Sequence, residues 1–420
     1  MTPNSPISRS TLLKLLTEAC ELEHGLACSY LYSAMSLRQE PFGAMLSAAE
    51  VLLVRQWASQ VYFVASQEML HLAQAWNLLV AVGGTPYYLR PNFPQRTNYY
   101  PLHMRLALEP YGEAALKRFI GYEKPLELLA EHSFVKEIVK PRSGAPTDFH
   151  TIGELYATIE RGIAELPDAI IGNPDDQVGT DIVDFQGIVR VVDVDSARQA
   201  IALVTHQGEG NQTDRADCHF GIFISLLEAL QKAKKLNPQF TPAYPAMTNP
   251  SVDTSAGYGA PQAKPITDPF AIEVAGLFDG LYSLMLRMLG YTFSPGGDLQ
   301  LKRALAQGAI VLMATVLKPL GEGLMQLPSA PGASSTAGPP FGLTRHVTLP
   351  VDALAAGFLV SERLEELTAV ASKLAAPPAG PAALGKVAAI LRRLSSLSGF
   401  ELSASTRRAV QERQVATFDR

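Results

Sequence analysis

A chain of 420 residues, 47% hydrophobic and 18% charged, is too long for one small core and too apolar for a disordered polymer. Its 35 basic and 40 acidic side chains leave a net charge of −5, and no Lys/Arg cluster is interleaved with aromatics, which argues against a nucleic-acid partner. No uninterrupted apolar run approaches the ~20 residues of a membrane span, and Met1 to Ser10 is polar, so neither a membrane partner nor secretion is expected.

Three cysteines, Cys20, Cys28 and Cys218, are sparse and odd in number, as reduced thiols in a cytoplasmic protein would be. The first helical pattern runs from about Ser8 to Arg38, with Ser8 or Ser10 as N-cap. Leu12, Leu16, Ala19, Glu23, Leu26 and Tyr30 form its stripe, and Glu23 stands where a Leu would be expected. A carboxylate on a buried face is costly unless it is paired or binds metal. His24, one residue round the helix, falls outside that face.

A second apolar stretch runs from about Val51 to Val82, where Val61, Val64, Glu68, His71, Ala75 and Leu78 recur at three- and four-residue steps. Glu68 and His71 thus share one face of a helix among core residues, the Glu-x-x-His unit from which di-iron and di-manganese carboxylate sites are built. Taken alone, the pair reads rather as a surface Glu beside a hydrogen-bonded His, and only ligands on other helices change that. Gly83-Gly84-Thr85-Pro86 is a glycine stop followed by proline. The Pro- and Tyr-rich stretch from Tyr87 to Pro101 has the length of a crossover along a bundle, or of a lid over one end.

Helical patterning resumes from about Leu102 to Glu131 and is interrupted by Pro125, so Glu123 reads as a structural helix-end carboxylate. The next helix begins at Thr151, with Ile152, Leu155 and Ile159 on its stripe and Glu154 at the border. From Pro167 to Val194 the chain is loop-like, with room for a small hairpin at Ile188-Val-Arg-Val-Val192. Asp195-Ser196-Ala197 opens a helix that ends at His206-Gln-Gly-Glu209-Gly, a mirror of Glu68-x-x-His71. His219 starts a further apolar pattern through Phe223, Leu226, Leu227 and Leu230. Tyr30, Tyr62 and Trp76 are candidates to line a pocket, although aromatics at helical spacing are ordinarily core.

Four helices therefore each bring a ligand group: Glu23; Glu68 with His71; Glu154; and His206 with Glu209, followed by His219. Mixed imidazole and carboxylate ligands suit iron or manganese. The expected fold is all-α, a ferritin-like four-helix bundle with a long crossover (residues 8–236). An irregular Pro/Ala/Ser/Thr-rich connector (237–268) and a smaller helical C-terminal domain (269–420) follow. The last part has no clustered ligands, phosphate loop or triad, and its apolar character is compatible with a homodimer.

The runs Glu21-Leu-Glu23-His24-Gly-Leu-Ala-Cys-Ser-Tyr30, Glu68-Met-Leu-His71, Gly83-Gly-Thr-Pro86, Gln207-Gly-Glu209-Gly210 and His219-Phe220 carry a resemblance. Together they resemble the ferritin-like domain of the iminophenylpyruvate dimer synthase family, from violacein- and rebeccamycin-type bisindole pathways. The resemblance spans residues 10–235 and continues more weakly through Ala337-Gly-Pro-Pro-Phe341. It implies a metal-dependent oxidoreductase of bacterial secondary metabolism, with Glu23, Glu68, His71, Glu209 and His219 as ligands. Glu154 would bridge or complete the site, and His206 would lie in or behind it. The implied cofactor is iron, dinuclear, with manganese as the alternative. The partners would be a small aromatic or amino-acid-derived substrate and dioxygen or a peroxide. A dimer-synthase-type coupling enzyme and a non-enzymatic metal-binding or scaffold protein are the rival readings.

Overall fold

The computed structural model describes residues 7–39, 46–95, 105–125, 128, 149, 151–208, 216–252, 263–343, 347–376 and 382–395. Helix α1 (Arg9–Met35) starts where Ser8 accepts the Thr11 N–H, and α2 (Ala48–Ala81) starts in a full capping box between Ser47 and Glu50. Such caps satisfy amides that a helix start leaves orphaned, each for about 1 kcal/mol. The end of α2 is the expected glycine stop: Gly83 has φ +94°, and the Gly83 and Gly84 amides bond back to Val80 and Leu79.

Five further helices follow: α3 (Glu113–Tyr122), α4 (Ile152–Glu165), α5 (Val194–Gly208), α6 (His219–Leu236) and α7 (Pro269–Thr292). Helices α1 and α2 lie along each other; α3 packs on α6, α4 on α5 and α1, and α5 on α2. After α7 come α8 (Leu299–Val311), a π-helix (Leu312–Leu317), α9 (Lys318–Leu324), α10 (Ala353–Leu374) and α11 (Ala382–Ser395). Pro319 accounts for the π turn. It lacks an N–H for the Thr315 carbonyl and its ring crowds that carbonyl, so the preceding turn widens. The described strands are the two-residue Pro250–Ser251 and Lys264–Pro265, paired in parallel.

No hairpin forms at Ile188–Val192. Side-chain amides take the place of a strand partner. Gln74 and Asn77 of α2 and Gln177, all fully buried, each bond both ways to backbone, at Val189, Val178 and Val191 respectively, over 2.7–2.9 Å. A buried loop needs its polar backbone satisfied, and these amides do it.

One apolar core runs from the bundle into the C-terminal helices. Two helical segments, Pro269–Thr292 and Leu299–Leu324, are long and apolar enough to cross a membrane, although polar residues interrupt their apolar runs; 61% and 50% of their most apolar stretches are buried in the fold. Between α1 and α7 sits a buried polar knot. Tyr282 bonds His24 and Cys28, and Arg90 donates to Tyr282 (3.1 Å) and the Phe341 carbonyl (2.6 Å). Asp279 accepts the Gly342 N–H at 2.8 Å with Oδ1, while its other oxygen has no hydrogen-bond partner among the described residues.

Burial pushes the Asp279 carboxyl up to about 8, against the pull of the Gly342 N–H and Arg90. Between roughly pH 4 and that value the folded protein keeps a proton that the unfolded chain releases, so stability falls as pH rises. Asp279→Asn should gain on the wild type through that window by up to ~1.4 kcal/mol per pH unit, then level off. Urea unfolding across the window reads the difference, and a flat one would refute it.

Candidate metal centre

The first turn of α6, the last turn of α3 and the middles of α1 and α2 meet inside the bundle. Glu23 (α1), Glu68 and His71 (α2), Glu123 (the C-cap of α3) and His219 (first residue of α6) are all buried there. Glu68 stands between the two imidazoles: its Oε2 lies 3.2 Å from His71 Nδ1 and its Oε1 2.8 Å from His219 Nδ1. Each imidazole also has an outer carboxylate, Glu23 at 3.7 Å from His71 Nδ1 and Glu123 at 3.7 Å from His219 Nδ1. Each outer carboxylate accepts a tyrosine hydroxyl, Tyr156 on Glu23 (2.6 Å) and Tyr30 on Glu123. Each imidazole Nε2 faces a glutamine oxygen, Gln207 for His71 (2.9 Å) and Gln67 for His219 (3.1 Å). The result is two near-equivalent halves sharing Glu68.

The glutamines decide the chemistry of the rings. With Oε1 accepting, Nε2 carries the hydrogen, and a neutral ring then aims its Nδ1 lone pair at the carboxylates. Lone pair facing lone pair requires a cation between them. Glu68 Oε1 and His219 Nδ1 approach to 2.8 Å, yet neither makes a hydrogen bond of good geometry. Ligand atoms of Glu68, His71 and His219 lie within 4.8 Å of one another, a donor set that fits a divalent ion.

Without an ion, protons take that place. Burial pushes Glu23 up to about 8, helped by the Glu68 charge and opposed by His71. Burial and Glu68 also raise Glu123. Burial would raise Glu68 too, but His219 and His71 outweigh it and hold that carboxyl below the usual range. Burial disfavours charge on both rings; even so, Glu68 lifts His71, and Glu68 and Glu123 lift His219 to about 9.

Of the residues expected from sequence, Glu23, Glu68, His71 and His219 are brought together. Glu154 is only half-buried in the first turn of α4, its N–H capped by Thr151, and His206 is exposed on the last turn of α5. Neither is buried with the cluster, because the α4 and α5 faces turned inward carry Tyr156 and Gln207 instead. Glu209 lies outside the described residues. Gly208, just before it, packs so close to Glu123 that an added Cβ would sit 3.3 Å from Oε2. Glu123, expected to be only structural, is part of the cluster. Its signal was the α3 stripe of Leu116, Phe119 and Ile120, which it continues at helical spacing.

Metal-free, Glu23 holds its proton up to about pH 8, so at neutral pH Tyr156→Phe strips a neutral carboxyl of its buried donor and should cost ~0.5–1.5 kcal/mol. Denaturant unfolding of the metal-free protein measures this; a loss no larger than that of Tyr156→Phe in a Glu23→Gln background would show that the bond contributes nothing.

The Ferritin-like family model matches residues 16–228. The 2-imino-3-(indol-3-yl)propanoate dimerase of Chromobacterium violaceum is 30% identical over 360 residues, 79% of this chain and 34% of that protein. The dichlorochromopyrrolate synthase of Lentzea aerocolonigenes is 28% identical over 377 residues, 81% of this chain and 36% of that protein. This chain thus spans about a third of the length of the curated relatives it matches. Both alignments are longer than the family match, so the likeness extends beyond the bundle. A crystal structure of a ferritin-like protein from Caulobacter vibrioides overlays with a TM-score of 0.47 at 19% identity, covering 72% of this chain and 96% of that one. By its sequence match over half its length, the chain belongs to the Ferritin-like family.

Proposed function

We propose that this chain is a metal-dependent oxidoreductase with a dinuclear non-haem iron centre. It would act on a small aromatic or amino-acid-derived molecule of bacterial secondary metabolism. The observation that carries this reading is Glu68 placed between two imidazoles, each with its own outer carboxylate. Glu23, Glu68, His71, Glu123 and His219 would hold the ions, with Glu68 shared and Glu209 completing the set. Manganese would fit the same donors.

Charge favours two ions over one. Three carboxylates with two neutral imidazoles carry three negative charges in a dry interior. One divalent ion leaves a net negative charge buried, which is costly. Two ions with Glu209 as a fourth carboxylate come to neutrality.

Bound iron would supply electron transfer from substrate to dioxygen or a peroxide. The chain's own groups orient and insulate the centre. Gln67 and Gln207 fix the ring tautomers, Tyr30 and Tyr156 hold the outer carboxylates, and the surrounding helices exclude water. The name of one relative, a 2-imino-3-(indol-3-yl)propanoate dimerase, favours one form of this chemistry, the oxidative joining of two imines of an aromatic amino acid. One carbon–carbon bond would form as each imine loses a C–H hydrogen, and the two electrons and two protons released would reduce the oxidant, dioxygen to hydrogen peroxide or a peroxide to water.

Elemental analysis of protein purified without a metal-affinity tag tests the centre. About two iron or manganese ions per chain are expected, retained in His206→Ala, reduced in Glu123→Ala and absent in Glu68→Ala/His71→Ala. Oxygen uptake on imines generated in situ by an amino-acid oxidase, with product mass, tests the reaction. No bound metal even after anaerobic ferrous reconstitution would leave a helical binding or scaffold protein.

A further inference from the structure

Helices α1 and α2 have a second buried face. Where Glu23, Glu68 and His71 point into the bundle, their neighbours His24, Met69 and Leu72 line a cavity of about 530 Å³ between these helices and the C-terminal ones. No cluster residue lines it. The volume lies in the range of pockets that enclose small ligands.

Its lining says what it would take. Trp76, Phe185, Tyr282, Phe293 and Phe341 supply aromatic faces. Met35, Met69, Met285 and Met313 supply sulfur, so four of the chain's ten methionines meet in one cavity. Methionine is the adaptable, polarisable partner of aromatic rings. Among the described residues no carboxylate lines the cavity, and the one cation, Lys318, is already paired with Glu322 at 3.3 Å. A charged ligand would find no counter-charge. The wall includes the π turn, through Met313, Ala314 and Leu317, and such turns collect at functional sites. Exposed lining residues Ser59, Ser66 and Ala314 mark the mouth. The hydroxyl of Tyr62 and the side chains of Gln39, Lys318 and Glu322 form a hydrogen-bonded rim beside it.

We propose that this cavity is a binding site for an uncharged aromatic small molecule, separate from the carboxylate–imidazole centre and sharing α1 and α2 with it. The site does not rest on the metal reading, since none of its residues belongs to the centre.

The test uses the full chain after chelator treatment, titrated with the uncharged fluorophore N-phenyl-1-naphthylamine. Two tryptophans are present; Trp76 lines the cavity, while Trp57 packs elsewhere, on Tyr111 and Phe240. Saturable binding of one dye per chain is expected, with energy transfer reduced more in Trp76→Phe, which loses the donor in the wall, than in Trp57→Phe. Ala314→Trp, at an exposed position that tolerates bulk, should weaken binding about tenfold, ~1.4 kcal/mol. Met313→Trp provides a second blocked mouth should the first variant misfold. 1-Naphthol should displace the dye at lower concentration than dodecanoate. Non-saturable binding, unchanged affinity in the blocked variants, or preferential displacement by dodecanoate would each overturn the proposal. Because the protein is metal-free throughout, failure here leaves the metal reading standing, and the reverse also holds.

Discussion

Everything in the bundle interior answers to one constraint: three carboxylates buried together must be compensated without water. A lone buried carboxylate is so costly that it would protonate or unfold its surroundings. Here each outer carboxylate accepts a tyrosine hydroxyl, while Glu68 lies between two imidazole Nδ1 atoms that compensate it only through a proton or a metal ion. The backbone is arranged to allow this. The cluster draws on the middles of the two longest helices, where positions are most firmly fixed, and on the ends of α3 and α6. Compensation by protons is strained, because the rings must be charged in a place where burial disfavours charge. A pair of divalent ions would relieve the same conflict, which is why the metal reading and the stability of the interior are one question.

The two long helices are walls with two furnished sides. Residues at one angular position build the polar cluster, and residues about a quarter to a third of a turn away build an apolar cavity. This division explains why His24, so near Glu23 in sequence, takes no part in the cluster. It is committed to Tyr282 on the C-terminal side, where Arg90 and Cys28 complete a separate network. Removing the Tyr282 hydroxyl would leave His24 short of a buried partner and Arg90 with one fewer, a loss of the order of 1–3 kcal/mol. The C-terminal helices are thus fastened to the bundle by polar as well as apolar contacts.

Much of this was legible in the sequence. Long stripes with a carboxylate where an aliphatic belongs placed Glu23, Glu68 and His71 correctly in the interior, since period and composition agree over many turns. Legibility failed where one turn had to carry the inference. His206 copies the i, i+3 spacing of Glu68 and His71, but it sits in the last turn of α5, where spacing does not fix the inward face, and it is exposed. Pro125 makes Glu123 read as a mere helix-end carboxylate, although a C-cap can still aim inward. The absent hairpin had no local signal at all: its partner is a set of amides from Gln74, Asn77 and Gln177.

Those amides have a consequence for how the cavity fills. The loop that carries Val183 and Phe185 over the cavity is stitched to α2 by bonds made in reciprocal pairs. A flap hinges when few bonds hold it; this one would have to lose several buried bonds at once. It is therefore a roof and not a door, and traffic must pass between the π turn and the first half of α2.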